Sequence, residues 1–222
     1  MALNGIVTHA AVGQVGFDTA STVTQAALDA AKQRGYTFAV RYVRRQVAHS
    51  GDLTQAEAQL ILNHGLSLMA VQYVESESAW TPSAAKGTQN GSNGVAYAKS
   101  IGLPPGINLW CDLEGVATSA PSSDTDAYCR AWFAAVSAGG YVPGLYVGWS
   151  PGLNPTQLWQ LPFQHYWRSF NLNNDQVPAN RGTQMTQRSH GALPGLDPST
   201  FDEDVITGDH KGGVPVWLSP LG

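Results

Sequence analysis

Residues 107–115 read I-N-L-W-C-D-L-E-G, and the alternation in them decides the fold. Ile107, Leu109 and Trp110 open a run of apolar and β-prone residues long enough for one buried strand. Successive side chains in a strand point to opposite faces, so Asp112 and Glu114 share one face while Cys111 and Leu113 take the other. Two carboxylates together on an otherwise apolar strand cost free energy unless they meet water or do chemistry. The plainer reading is a strand end running into a solvated loop, and Gly115 does open one. Downstream, residues 124–138 place Tyr128, Ala131, Trp132, Ala135 and Val136 in one helical stripe. A buried strand followed by an amphipathic helix is the building unit of α/β folds.

The same alternation extends both ways. Upstream, 15–18 reads as a short buried strand. A helix over 23–34 carries Ala26, Ala27, Ala30 and Ala31 at helical spacing and stops at Gly35. A β-rich strand covers 37–43. A helix over 54–64 opens with Thr54 and Glu57 in a capping-box pattern and stops at Gly65. A strand follows over 67–74, then a long loop over 75–86 and a weak helix near 92–101. Downstream, a Pro143-Gly144 turn leads to a strand at 145–148, a short helix at 155–160 and strands at 165–170 and 184–186. The last strand is 201–205, and the connections before it are loop-like. That is roughly eight strands, with crossovers of the length parallel neighbours need. The expectation is an α/β chain forming a single (β/α)8 TIM-like barrel over 1–222, with reduced helices in its C-terminal third. A doubly wound open sheet is the alternative, but no glycine fingerprint for a dinucleotide occurs.

The 222 residues suffice for one sizeable core, and no composition shift or internal repeat marks a boundary. The chain is 43% hydrophobic and only 13% charged, with 24 glycines and 13 prolines spread along it, as expected of many short loops between buried strands. The net charge is −4. With Arg41, Arg44 and Arg45 as the densest basic group, a nucleic-acid partner is not expected. The first ten residues lack a basic region followed by a long apolar run, so no secretory signal is visible, and no stretch approaches a membrane span. The two cysteines, Cys111 and Cys129, make no framework; reduced core thiols are expected, with a bridge as the alternative. The six histidines show no zinc spacing, so neither metal nor cofactor is expected.

Two further acidic motifs flank the central one: Asp18 in V-G-F-D-T and Asp202 in T-F-D-E-D-V. Carboxylates at strand ends are the groups with which barrel enzymes cleave glycosidic bonds. The reaction asks one carboxyl to keep its proton near neutral pH and another to stay ionised against oxocarbenium character.

G-F-D-T at 16–19, W-C-D-L-E-G at 110–115 and F-D-E-D-V-I-T-G-D at 201–209 together resemble the family 25 lysozymes, which are barrel N-acetylmuramidases. F-A-V-R-Y at 38–42 and L-T-Q-A-E at 53–57 are closer still to the related glycoside-hydrolase-like domain family. The ordered set of three acidic motifs carries the resemblance, which spans essentially the whole chain. It implies that Glu114 is the general acid, that Asp112 supports it or stabilises the charged intermediate, and that Asp18 and Asp202 line the opposite side of a cleft. It also implies a polysaccharide substrate, with peptidoglycan first, for a lysin acting as a monomer. Such a lysin would reach the cell wall by release or by a delivery route of its own, and otherwise stay cytoplasmic.

Departures accompany the resemblance. Asp202 and Asp204 share one strand face, and the spacing to Gly208 favours Asp202 as the one that enters the site. Gln184-Met185-Thr186 stands where an aromatic is usual. Arg41 alternates with Val40 and Tyr42, so it faces either the barrel interior or the helices. Its expected partner is Asp18, in substrate support or in a structural pair. Gln72, Tyr73, Tyr146, Trp149, Trp167, Gln184 and Asp204 complete the expected substrate-binding set, each with core packing as the alternative. A barrel that binds glycan without cutting it, and a hydrolase of another polysaccharide, are the competing readings.

Overall fold

A computed structural model describes residues 2–76, 78–172 and 176–221. The strands are β1 (Ile6–His9), β2 (Val15–Thr19), β3 (Phe38–Val43), β4 (Ser67–Gln72), β5 (Asn108–Leu113), β6 (Val142–Val147), β7 (His165–Arg168), β8 (Met185–His190), β9 (Phe201–Ile206) and β10 (Val216–Ser219). The helices are α1 (Gln25–Gln33), α2 (Gln55–Asn63), α3 (Ala84–Ser100), α4 (Ser122–Ala138) and α5 (Pro155–Gln160). Strands β2 to β8 run parallel in order, β4 pairs with β5, and β9 closes the ring between β8 and β2, giving an eight-strand barrel. Helices thin out towards the C-terminus, where α5 has 6 residues and only a 3-10 turn at Pro198–Thr200 precedes β9.

β9 differs from the other barrel strands in running antiparallel to both neighbours. A short connection suffices to join antiparallel strands, whereas a parallel crossover needs a dozen or more residues. The consequence is positional. The residues that β9 brings to the mouth of the barrel are its first ones, while the parallel strands bring their last.

Apolar side chains fall into two sets, as alternation demands. Phe38, Val40, Met69, Val71, Trp110, Trp167 and Met185 fill the barrel interior, and Trp110 meets Trp167 edge to face at 5.9 Å. Phe17, Ala39, Val43, Leu109, Cys111 and Leu113 face outward to the helices. Both cysteines are buried and unbridged.

Several expectations need correction. Pro143 and Gly144 lie inside β6 rather than in a turn before it. A Cβ on Gly144 would stand 2.3 Å from the Trp110 ring, so the glycine makes room for the interior indole. The expected weak helix near 92–101 is α3, a 17-residue helix capped by Ser83. Its glycines lower helix propensity but allow contact with α4: a Cβ on Gly87 would stand 2.2 Å from the Tyr128 carbonyl. β1 and β10, absent from the sequence reading, form an antiparallel pair attached to β4 through Leu218 and Leu68.

Arg41 belongs to the outward face of β3. Its Nε donates to Glu57 Oε1 at 2.7 Å, and its other nitrogens donate to the carbonyls of Thr19 and Gly51. Glu57 also accepts from the Val23 amide at 2.8 Å. The partner is therefore Glu57 and not Asp18, and the pair ties α2 to the sheet. Thr54 does cap α2 by accepting from the Glu57 amide, while the Glu57 carboxylate turns to Arg41.

Candidate active site

The C-terminal ends of the parallel strands and the N-terminal end of β9 surround one cavity of about 300 Å³. Asp18 on β2, Asp112 on β5, Glu114 just beyond β5 and Asp202 on β9 all line it. Asp18 lies directly opposite Asp202 in the β2–β9 register, and Asp112 lies opposite Tyr146 in the β5–β6 register. Tyr42, Tyr73, Tyr146 and Phe170 supply aromatic wall, and among the described residues no Lys, Arg or His lines the cavity. Among the described residues no set of three or more His, Cys, Asp or Glu is placed to share a metal ion.

Local backbone bonds hold Glu114. Its carbonyl accepts from Trp80 Nε1 at 2.6 Å. The next two amides, of Gly115 and Val116, donate to the carbonyls of Trp149 and Ser150. Gly115 turns the chain with φ 64°, a conformation that glycine adopts without strain. Across from it, a Cβ on Gly148 would stand 2.3 Å from Glu114 Oε2, so the carboxylate rests against bare backbone.

Gln187 links the opposite pair of acids. Its Nε2 donates to Asp18 Oδ2 at 2.8 Å and to Asp202 Oδ2 at 3.3 Å. Its Oε1 accepts from the Tyr146 hydroxyl at 3.1 Å, which fixes the amide orientation. Asp18 is only 2% exposed. Burial first, then the negative charge of Asp202 and to a lesser degree of Glu114, push its carboxyl from 3.8 up to about 7, against the hydrogen bonds from Gln187 and Asp204. Burial and the surrounding carboxylates likewise hold the Tyr42 and Tyr146 phenols well above their usual range, so both are neutral hydroxyls.

Of the expected site residues, the structure brings Asp18, Asp112, Glu114, Asp202, Tyr73 and Tyr146 to the cavity. Others lie elsewhere. Arg41 is on the outward face. Gln72 also faces outward, donating to the Asn90 carbonyl at 2.7 Å and accepting from Trp132 Nε1 at 2.8 Å. Gln184 precedes β8, at the end of the barrel remote from the mouth, and bonds the Tyr166 amide and Asp209. Trp167 and Asp204 lie in the barrel interior, joined by a 2.8 Å hydrogen bond from Nε1 to Oδ1. Trp149 follows β6 but is 47% exposed and does not line the cavity.

The sequence reading missed Tyr42, Gln187, Ser169, Asn171 and Thr200. Tyr42 was within reach, because an outward Arg41 requires an inward Tyr42 by alternation. Gln187 carried no signal, since β8 was expected to end at 186.

A closed α/β barrel with four carboxylates around a cavity at one mouth defines the class: a barrel of the glycoside hydrolase-like kind. The profile of the Rv2525c-like, glycoside hydrolase-like domain family matches residues 29–204, and the chain belongs to that family. No curated protein matches the sequence. Among solved structures, the Mycobacterium tuberculosis Tat-secreted protein Rv2525c in complex with L-tartrate is similar at 17% identity and TM-score 0.65, covering 88% of this chain and 96% of that one. The bacterial lysozyme from Streptomyces coelicolor is similar at 15% identity and TM-score 0.61, covering 91% and 95%. A family 25 glycosyl hydrolase from Bacillus anthracis is similar at 13% identity and TM-score 0.59, covering 91% and 94%. These likenesses establish the fold. No helix among the described residues is long and apolar enough to cross a membrane.

Proposed function

We propose that the chain is a glycoside hydrolase that cuts the glycan backbone of peptidoglycan, acting as a single unit and a monomer. The observation that carries this reading is the convergence of Asp18, Asp112, Glu114 and Asp202 on one cavity with aromatic walls. The kinship of the fold to lysozymes points to the same substrate class.

In this reading Glu114 donates a proton to the leaving glycosidic oxygen. Its position against the Gly148 backbone, with its own main chain clamped by Trp80, gives the acid one address. Asp112, on the same strand face, opposes the positive charge that develops on the sugar ring, and Asp202 does so from the facing wall. Tyr73, Tyr146 and Phe170 offer apolar surface to the C–H faces of the sugar. The route to the wall is release or delivery from outside this domain.

Purified protein incubated with peptidoglycan sacculi should release muropeptides with a reducing muramic-acid end, read by mass spectrometry. Glu114→Gln should abolish the release and keep the fold, because the amide preserves shape but has no proton to give. Sacculi that are bound but not cut would transfer the reading to a glycan-binding barrel. Wild-type turnover by the Gln variant would remove Glu114 from the mechanism.

A further inference from the structure

Asp204 takes no part in the reading above, yet it is a fully enclosed carboxyl beneath the cavity floor. β9 runs inward from the mouth, so Asp204 lies two residues deeper than Asp202 on the same face. Its Oδ1 accepts from Trp167 Nε1 at 2.8 Å, while its Oδ2 is buried and receives no N–H donor among the described residues. Asp18, on the adjacent strand, stands diagonally across from it: Asp18 pairs with Asp202 and Gly16 with Asp204, which puts the two carboxyls on one face of the β2–β9 pair.

Ionised carboxylates only accept hydrogen bonds. Two of them facing each other away from water need a proton between them. Asp18 has a second donor in Gln187 and an opening to the cavity, both of which favour its charged form. Asp204 has no opening to the cavity.

We propose that Asp204 is a neutral carboxylic acid whose proton is donated to Asp18, making it the positioning residue that orients Asp18 at the cavity floor. Desolvation and the adjacent Asp18 both act to keep that proton in place, and both hold Asp204 well above the ordinary carboxylate range. Among the described residues the other ionisable groups near the pair are Asp202 on β9, Glu114 beyond β5 and the Tyr42 and Tyr146 phenols, all on the cavity side. Among the described side chains of β7 and β8, Trp167 and Gln187 donate to the pair. When Asp18 ionises, the pair therefore carries one negative charge, held at the upper carboxyl. Only the activity arm of the test rests on the hydrolase reading.

Carboxyl carbon NMR of the intact protein labelled at aspartate provides a readout without substrate. One resonance, absent from Asp204→Asn, should keep the shift of a protonated acid as pH is taken from about 5 to about 8, a window in which an ordinary aspartate is already ionised. An Asp204 resonance with a carboxylate shift at neutral pH would overturn the proposal. Glycan cleavage supplies the second arm. Asparagine offers an N–H where the acid offers an O–H, so Asp204→Asn should keep cleavage within about tenfold of the parent, the equivalent of one hydrogen bond. Asp204→Leu should lose far more, with a shifted pH profile. Equal losses in Asn and Leu variants would reduce Asp204 to a packing group and refute the positioning role. If the Leu variant does not fold, or the parent does not cleave, the NMR arm decides alone.

Discussion

Replacing Asp18 by asparagine should make the protein more stable at alkaline pH while removing its glycan cleavage. Asp18 is lifted from 3.8 to about 7, by burial first and then by Asp202. At about 1.4 kcal/mol per tenfold change in proton affinity, that gap costs the ionised native state roughly 4 kcal/mol. The direction follows from the two states. An unfolded chain releases this proton near pH 3.8 and the folded one near 7. The stabilisation that the carboxyl contributes is thus complete below pH 3.8, declines as pH rises, and is gone once pH passes about 7. Asparagine has no proton to release, and its carbonyl still accepts from Gln187. The variant should therefore match the parent near pH 4 and exceed it by up to about 4 kcal/mol near pH 8. Urea denaturation at a series of pH values measures the difference directly. A variant less stable than the parent at pH 8, or a difference that does not change with pH, would refute the reasoning.

Three other perturbations separate the site from its scaffold. Gly148→Ala puts a methyl where Glu114 Oε2 lies 2.3 Å away, so cleavage should fall sharply with little change in the denaturation midpoint; unchanged turnover would show that the acid does not need that address. Glu57→Ala leaves the fully buried Arg41 without its carboxylate. It should cost about 3–5 kcal/mol in chemical denaturation, and a loss below about 1 kcal/mol would mean that the Thr19 and Gly51 carbonyls suffice. Gly87→Ala gains about 1 kcal/mol of helix propensity, but its methyl would meet the Tyr128 carbonyl at 2.2 Å. Overpacking of about 1–3 kcal/mol should dominate, giving a lower melting temperature.

Strand β5 and its two acids were readable because a period of two survives in a run of apolar residues. Helix α1 was readable from its alanine spacing and glycine stop, and α2 from its threonine cap and glycine stop; the structure adds Thr24 as the cap of α1, accepting from the third residue of the helix as Thr54 does in α2. What failed did so for identifiable reasons. Gly144 and Gly87 look like breakers locally, and only the indole and the carbonyl that occupy their missing side-chain space explain them. Arg41 showed which residues share its face but not which layer that face meets, because burial within a barrel is two-sided. Its carboxylate, Glu57, was hidden inside a capping-box pattern that explained it too well. The reversal of β9 left a trace in the loop-like connection before it. Taken as a direction rather than a missing helix, that trace would have placed Asp202 above Asp204 without recourse to Gly208.

The short rim turn ahead of β9 carries a clasp. The Thr200 hydroxyl meets the hydroxyls of Thr19 at 3.1 Å and Ser21 at 2.8 Å, immediately above the Asp18–Asp202 pair. Those two acids therefore belong to one hydrogen-bonded wall, latched at its top and bridged from β8 by Gln187. Under the hydrolase reading, room for a glycan would then have to come from the rest of the rim, around Tyr73 and the segment from Ser169 to Asn171.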